Sequence, residues 1–244
     1  MSMITQAMWT SYTTKLARIN TKAAEAMQKW VNAHGYDDFD AMCEYAQALT
    51  SRYGSAAASL ACEMYEATAA AQGVTIAAAI PAETASIGTI RHLLGEAANQ
   101  SVTLIAPEVA KMVKQTAADT TLRNAARDGA EWAWIPHGGE TCAWCIALAS
   151  RGWQRAGPEM RTQHAEHIHA HCQCEFAVRF GRRNGVSGYD PKDYLKIYNQ
   201  YGGGGADRIN ALRRAMYEEN KEAINAQKRA AYAARIKRQA EENQ

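Results

Sequence analysis

Residues 9–30 read WTSYTTKLARINTKAAEAMQKW. Trp9, Tyr12, Leu16, Ile19, Ala23, Met27 and Trp30 recur at spacings of three and four, the interval that returns side chains to one face of an α-helix. The spacing predicts a single helix with one apolar stripe. It closes at His34-Gly35, glycine being the usual residue just past a helix end. A second helix is expected from Asp37 or Asp38, either of which can cap it. Phe39, Met42, Tyr45, Leu49 and Tyr53 give its face, continued by Leu60 and Met64, and Gly54 is expected to kink or break it. Pro81 is expected to open a third helix carrying Ile87, Ile90 and Leu94. A fourth runs from about Ser101 to Arg127, with Pro107 in the first turn, where a missing N–H is tolerated. These aromatic and methionine stripes read as core, and no chemistry is assigned to them.

Composition supports packed helices. Of 244 residues 47% are apolar, while phenylalanine occurs only three times; much of the apolar fraction is alanine, which loses no side-chain entropy in a helix. A formal net charge of +2 implies no nucleic-acid partner by itself. The N-terminus, MSMITQAMWTSYTTKL, lacks the apolar segment of a signal peptide, and no stretch is long and apolar enough to span a bilayer. The expectation is a protein made and used in a cytoplasm, without a membrane partner.

The character changes at Asp128-Gly129. Residues 130–200 hold four of the six cysteines, five of the seven histidines and four of the six tryptophans. Short strands or turns are expected there around a compact nucleus, with a short helix at 143–149. Trp132, Trp134, Trp144 and Trp153 would form its apolar shell. Tyr201 followed by Gly202–Gly205 breaks the chain again. It is no phosphate loop, because Ala206-Asp207 follows where Lys-Ser or Lys-Thr would be needed. From Ala206 onward the chain reads as one helix with Ile209, Leu212 and Met216 on a face and a basic end at Lys228, Arg229, Arg235, Lys237 and Arg238. The expected architecture is mainly α. Residues 1–128 form a helical bundle and 129–200 a small irregular α+β Cys/His module. Residues 201–244 are a glycine linker and a long C-terminal helical arm.

Chemistry concentrates in two runs, GGETCAWCIALASRGW at 138–153 and HAEHIHAHCQC at 164–174. Cys142 and Cys145 make a C-x2-C pair, and Cys172 and Cys174 a C-x-C pair. In a reducing compartment clustered cysteines are metal ligands before they are disulfides. Two pairs can supply the four tetrahedral ligands of a structural zinc. Simple burial of reduced thiols and disulfide formation in an oxidising medium remain the alternatives. Cys43 and Cys62, alone in helical sequence, read as small buried apolar residues. If 167–174 were one regular strand, His167, His169 and His171 would share one face and the two cysteines the other. A site mixing histidine with the later cysteines therefore needs a turn between Ala170 and Cys172.

At these residues the sequence resembles the minor capsid or head-morphogenesis proteins of tailed phages of the Mu F-like type. The resemblance rests on two blocks: Thr141-Cys142-Ala143-Trp144-Cys145-Ile146-Ala147-Leu148-Ala149-Ser150-Arg151-Gly152, and His169-Ala170-His171-Cys172-Gln173-Cys174, approached by Arg123–Asp128. Trp144 stands where the family usually has phenylalanine, and Glu175-Phe176-Ala177-Val178 where it often has proline and an aromatic. The resemblance implies a low-copy structural protein, not an enzyme. It implies association with the portal or the major capsid protein, and a place in the virion after assembly in host cytoplasm. It also favours His169 over the other histidines as an alternate or additional zinc ligand beside Cys142, Cys145, Cys172 and Cys174.

The same residues admit two other functions. One is a zinc-supported nuclease of the His-Asn-His sort, with the run Glu166-His167-Ile168-His169 offering a base. It lacks the Asp-His pair and the later Asn-and-His helix, and two cysteine pairs would close the coordination position a catalytic zinc needs. The other is a head protein that contacts packaged DNA through the basic C-terminal helix. Glu218, Glu219, Glu222, Glu241 and Glu242 weaken that footprint. No small-molecule substrate is expected.

Overall fold

A computed structural model describes residues 3–137, 141–156, 174–201 and 204–242. Helix α1 spans Gln6–His34 and α2 spans Phe39–Ala71. The Thr5 side chain caps α1 by accepting from the Met8 N–H, and Asp38 caps α2 by accepting from the Ala41 N–H at 2.9 Å. Gly35, at φ 75°, ends α1 while its N–H returns to the Val31 carbonyl. The expected stripe faces inward: Trp9, Tyr12, Leu16, Ala23 and Met27 are buried, and Ile19 and Trp30 pack at its margin.

Two expectations about the bundle are corrected. Gly54 does not break α2, which runs unbroken from Phe39 to Ala71. A Cβ placed there would meet Thr84 Cγ2 at 2.8 Å and Thr116 Oγ1 at 3.2 Å, so the missing side chain lets neighbouring chain approach closely. Nor does Pro81 open the third helix. Helix α3 spans Ile87–Gln100 and is capped by Ser86. Residues 74–86 are an extended strap over the bundle. A proline biases the residue before it away from helical backbone, and side chains satisfy the backbone groups thus left open. Asn124 both accepts from the Ile80 N–H and donates to the Ile80 carbonyl, Thr120 Oγ1 accepts from the Ala82 N–H, and Arg127 donates to the Ala77 and Ala78 carbonyls.

Helix α4, Ile105–Arg127, follows a short 3-10 turn at Val102–Leu104 and is the central element, packing on α1, α2 and α3. It is buried nearly all round, threonines included. Thr116, Thr120 and Thr121 donate to the carbonyls of Met112, Thr116 and Ala117, four positions back, so their hydroxyls are buried with partners.

Beyond Gly129, at φ 64°, strand β2 (Glu131–Pro136) runs between β3 (Gln154–Arg155) and β4 (Cys174–Arg179), antiparallel to both. In this register Trp132 lies opposite Val178, Trp134 opposite Phe176 and Pro136 opposite Cys174. They form one sheet face, continuous with a core that includes Tyr65, Leu122 and Leu148. The other face carries Ala133, Ile135 and Ala177 into the core of the bundle. A second, parallel pairing joins β1 (Met3–Ile4) to β5 (Gly185–Val186).

Helix α5 spans Ala143–Ala149, as the sequence predicts. Helix α6, Pro191–Asn199, was not anticipated; Asp190 caps it and proline opens it. Helix α7 spans Gly205–Glu242 and docks through Leu212, fully buried against Ala143 and Ile146 of α5, with Tyr194 and Tyr198 of α6 around it. The chain is therefore mainly helical, with an N-terminal bundle, a small β region and a C-terminal helix. Among the described residues no helix is long and apolar enough to cross a membrane.

Candidate metal centre

The first cysteine pair is placed by α5. Cys142 is the residue before the first helical turn, with extended backbone (φ −73°, ψ 158°), and its sulfur accepts the Cys145 N–H at 3.4 Å. The two sulfurs lie 3.3 Å apart. Cys142 is exposed, whereas Cys145 is buried. A capping serine would use its oxygen in the same way. Here a soft sulfur takes that place, and the helix fixes a second sulfur one turn on.

Cys174 opens β4 and is buried on the aromatic face of the sheet, in the same core as Cys145, Trp132, Trp134 and Phe176. Trp134 meets Phe176 edge-on with ring centroids 4.4 Å apart. The expected tryptophan shell is thus formed by Trp132 and Trp134, with Trp144 packed at its edge. Trp153 lies elsewhere, against the bundle core, under Arg179 and beside Tyr189. Of the five expected ligands, Cys142 and Cys145 are brought together, and Cys174 shares the core of Cys145. Cys172 and His169 lie outside the described residues, as does the Glu166–His169 run. Among the described residues no group of three or more His, Cys, Asp or Glu side chains is placed to hold a metal.

The pair fits one edge of a zinc tetrahedron. At a zinc–sulfur length of about 2.3 Å, two thiolates of one tetrahedral site stand about 3.8 Å apart, within about half an ångström of the spacing here. The N–H donated to Cys142 Sγ is the kind of backbone contact that steadies a metal-bound sulfur.

A polar cluster that the sequence reading missed lies between bundle and sheet. Lys114 of α4 pairs with Glu175 of β4 at 2.9 Å, and both side chains are more than nine-tenths buried. His137 Nε2 stands 3.6 Å from the same carboxylate oxygen. Burial and the Glu175 charge push the Tyr12 hydroxyl well above the ordinary tyrosine range. His137 also lines a cleft of about 450 Å³ with Trp9, Thr13, Ser187, Tyr189 and Tyr194. The available signal was Glu175 itself, a lone charge in the otherwise apolar run CEFAV. Cys43 is buried and Cys62 half-buried in α2, and burial pushes both thiols up.

The family model described as "VG15 protein" matches residues 3–201. The chain belongs to the VG15 family. The match covers the bundle, both cysteine blocks and α6, and stops before α7. The "Gene 15 protein" of Mycobacterium phage D29 is similar: 28% identical over 128 residues, covering 41% of this chain and 46% of that protein. The chain thus matches under half of that relative's length. No solved structure matches.

Proposed function

We propose that this VG15 protein is a structural, non-enzymatic minor component of a tailed-phage head, acting in head morphogenesis at or near the portal. Support comes from the two Mu F-like blocks, from similarity to a phage protein, and from the geometry of the first block. The single observation that carries the reading is the Cys142–Cys145 pair, set at the start of α5 with sulfurs 3.3 Å apart. A pair so placed suits a staple. In this reading a structural zinc is held by Cys142, Cys145, Cys172 and Cys174, with His169 as alternate or additional ligand. It fastens α5, and the α6–α7 layer on it, to the aromatic face of the sheet. A head component needs such a rigid body to present a surface to portal or major capsid subunits. In this reading the basic end of α7 approaches packaged DNA.

Co-expression with the portal and major capsid genes of the same genome tests the proposal. A complex that survives size-exclusion chromatography, and presence of the protein in purified virions, are the expected results. Absence from both overturns it. Cleavage of plasmid with magnesium or manganese, abolished by His167→Ala and His169→Ala, would establish the nuclease reading instead.

A further inference from the structure

We infer that Cys142 and Cys145 form a redox-active dithiol, which closes to an intrachain disulfide by exchange with an external disulfide and thereby gives up any metal it holds. The inference stands on the geometry of the pair and goes beyond the metal reading. Three features set the two sulfurs in unequal and complementary roles. Cys142 is exposed, so an incoming disulfide meets it first. Cys145 is 1% exposed, so it is shielded from that reagent but lies 3.3 Å from the Cys142 sulfur. Cys142 lies outside the helix proper, on extended backbone, so its sulfur can move without unwinding α5. Closure to a bond length of about 2.05 Å requires the sulfurs to approach by only about 1.3 Å.

The chemistry balances as two exchanges. The Cys142 thiolate attacks one sulfur of a disulfide RSSR, a mixed disulfide forms, and one RS⁻ leaves. The Cys145 thiolate then attacks the Cys142 sulfur, the intrachain bond forms and the second RS⁻ leaves. The two protein thiols lose two electrons and two protons; RSSR gains them and becomes two thiols. A reducing cytoplasm holds the pair open, and an oxidising medium drives it shut. A zinc staple here would thus be removable by oxidation, because Cys142 is its exposed sulfur.

The full chain, as purified and after treatment with a zinc chelator, is incubated with glutathione disulfide. It is then read by intact mass and by peptide mapping after thiol blocking. Zinc content is measured before oxidation. The expected result is a loss of two hydrogens mapping to Cys142 and Cys145, reversed by a thiol reductant and accompanied by zinc release from any zinc-loaded chain. In Cys145→Ser a glutathione adduct should instead persist on Cys142. A persistent adduct in the native chain, a bond to Cys172 or Cys174, or no reaction of Cys142 in either arm overturns the inference. The two readings fail separately. A zinc-loaded chain whose pair will not close after chelation sinks only this inference, and a zinc-free chain whose pair closes sinks only the staple.

Discussion

Asp128 shows how much one side chain can tie together. Arg127 Nε donates to its Oδ1 at 2.7 Å and Nη2 to its Oδ2 at 2.8 Å, while the Tyr65 hydroxyl donates to Oδ2 at 2.9 Å. One carboxylate thereby joins α2 to the end of α4, and Arg127 reaches on to the strap. The Arg127 hydrogen bonds, aided by Tyr65, hold the Asp128 carboxyl below its ordinary range against the opposing effect of burial. A carboxyl depressed by folding contributes stability that is complete above the unfolded value, near pH 4, and is lost as pH falls through the folded value. Asp128→Asn should cost about 1–3 kcal/mol at pH 7. Urea titrations at several pH values should show this difference shrinking below about pH 4; a difference that does not change with pH contradicts the assignment. The buried Lys114–Glu175 pair behaves differently. Lys114→Met alone takes the ion-pair partner from the buried Glu175 carboxylate and leaves it beside His137; it should cost about 3–5 kcal/mol, while Lys114→Met with Glu175→Leu should recover most of the loss. Chemical denaturation of the single and double variants decides it, and a double variant as unstable as the single would refute the account. Neither contact was legible in the sequence, because Tyr65 and Asp128 are 63 positions apart and Lys114 and Glu175 are 61 apart.

Elements divide by how locally they are determined. Helix α1 was legible from its stripe and the His34-Gly35 stop, α2 from Asp38 and its stripe, and α4 from Pro107 near its start and the change of character at Asp128-Gly129 after it. Helix α5 was legible from its short apolar run between Cys142 and Ser150. The strap was misread because Pro81 is a good first residue of a helix, whereas the groups that hold the chain extended are side chains of other elements: Glu66 of α2 on the Ala79 N–H, and Asn124, Thr120 and Arg127 of α4 about 40 or more positions away. The β2–β4 pairing was likewise hidden, since its two strands are separated by a long excursion. Helix α6 was missed although Asp190-Pro191 is a usable start signal; the tyrosines and glycines around it obscured the period. Gly54 gives the sharpest test at this scale. In an exposed mid-helix position Gly→Ala stabilises by roughly 0.5–1 kcal/mol. Here the added methyl meets Thr84 and Thr116, so Gly54→Ala should instead destabilise by about 1–3 kcal/mol, with Gly54→Val worse. A stabilised Gly54→Ala chain would mean the strap does not press on α2.

At the scale of the whole molecule, three apolar clusters meet through the sheet and α5. The bundle core takes in Ala133, Ile135, Ala177 and Val186; the aromatic core joins the sheet to α5; and the third core seats α7 on α5 and α6. Helix α5 is short, and both the sheet and the C-terminal helix depend on it. The sequence pattern located the two cysteine blocks but left their ligand set open, because which histidines join depends on backbone turns that spacing does not fix. In the proposed reading a metal secures this junction. Zinc per chain, measured by elemental analysis on protein purified without chelator, tests it most directly. The expected result is one zinc per chain in the native protein, lost in Cys142→Ser together with amide protection of α5, while the helices of the bundle keep theirs. A native chain that is well folded and contains no zinc would contradict it.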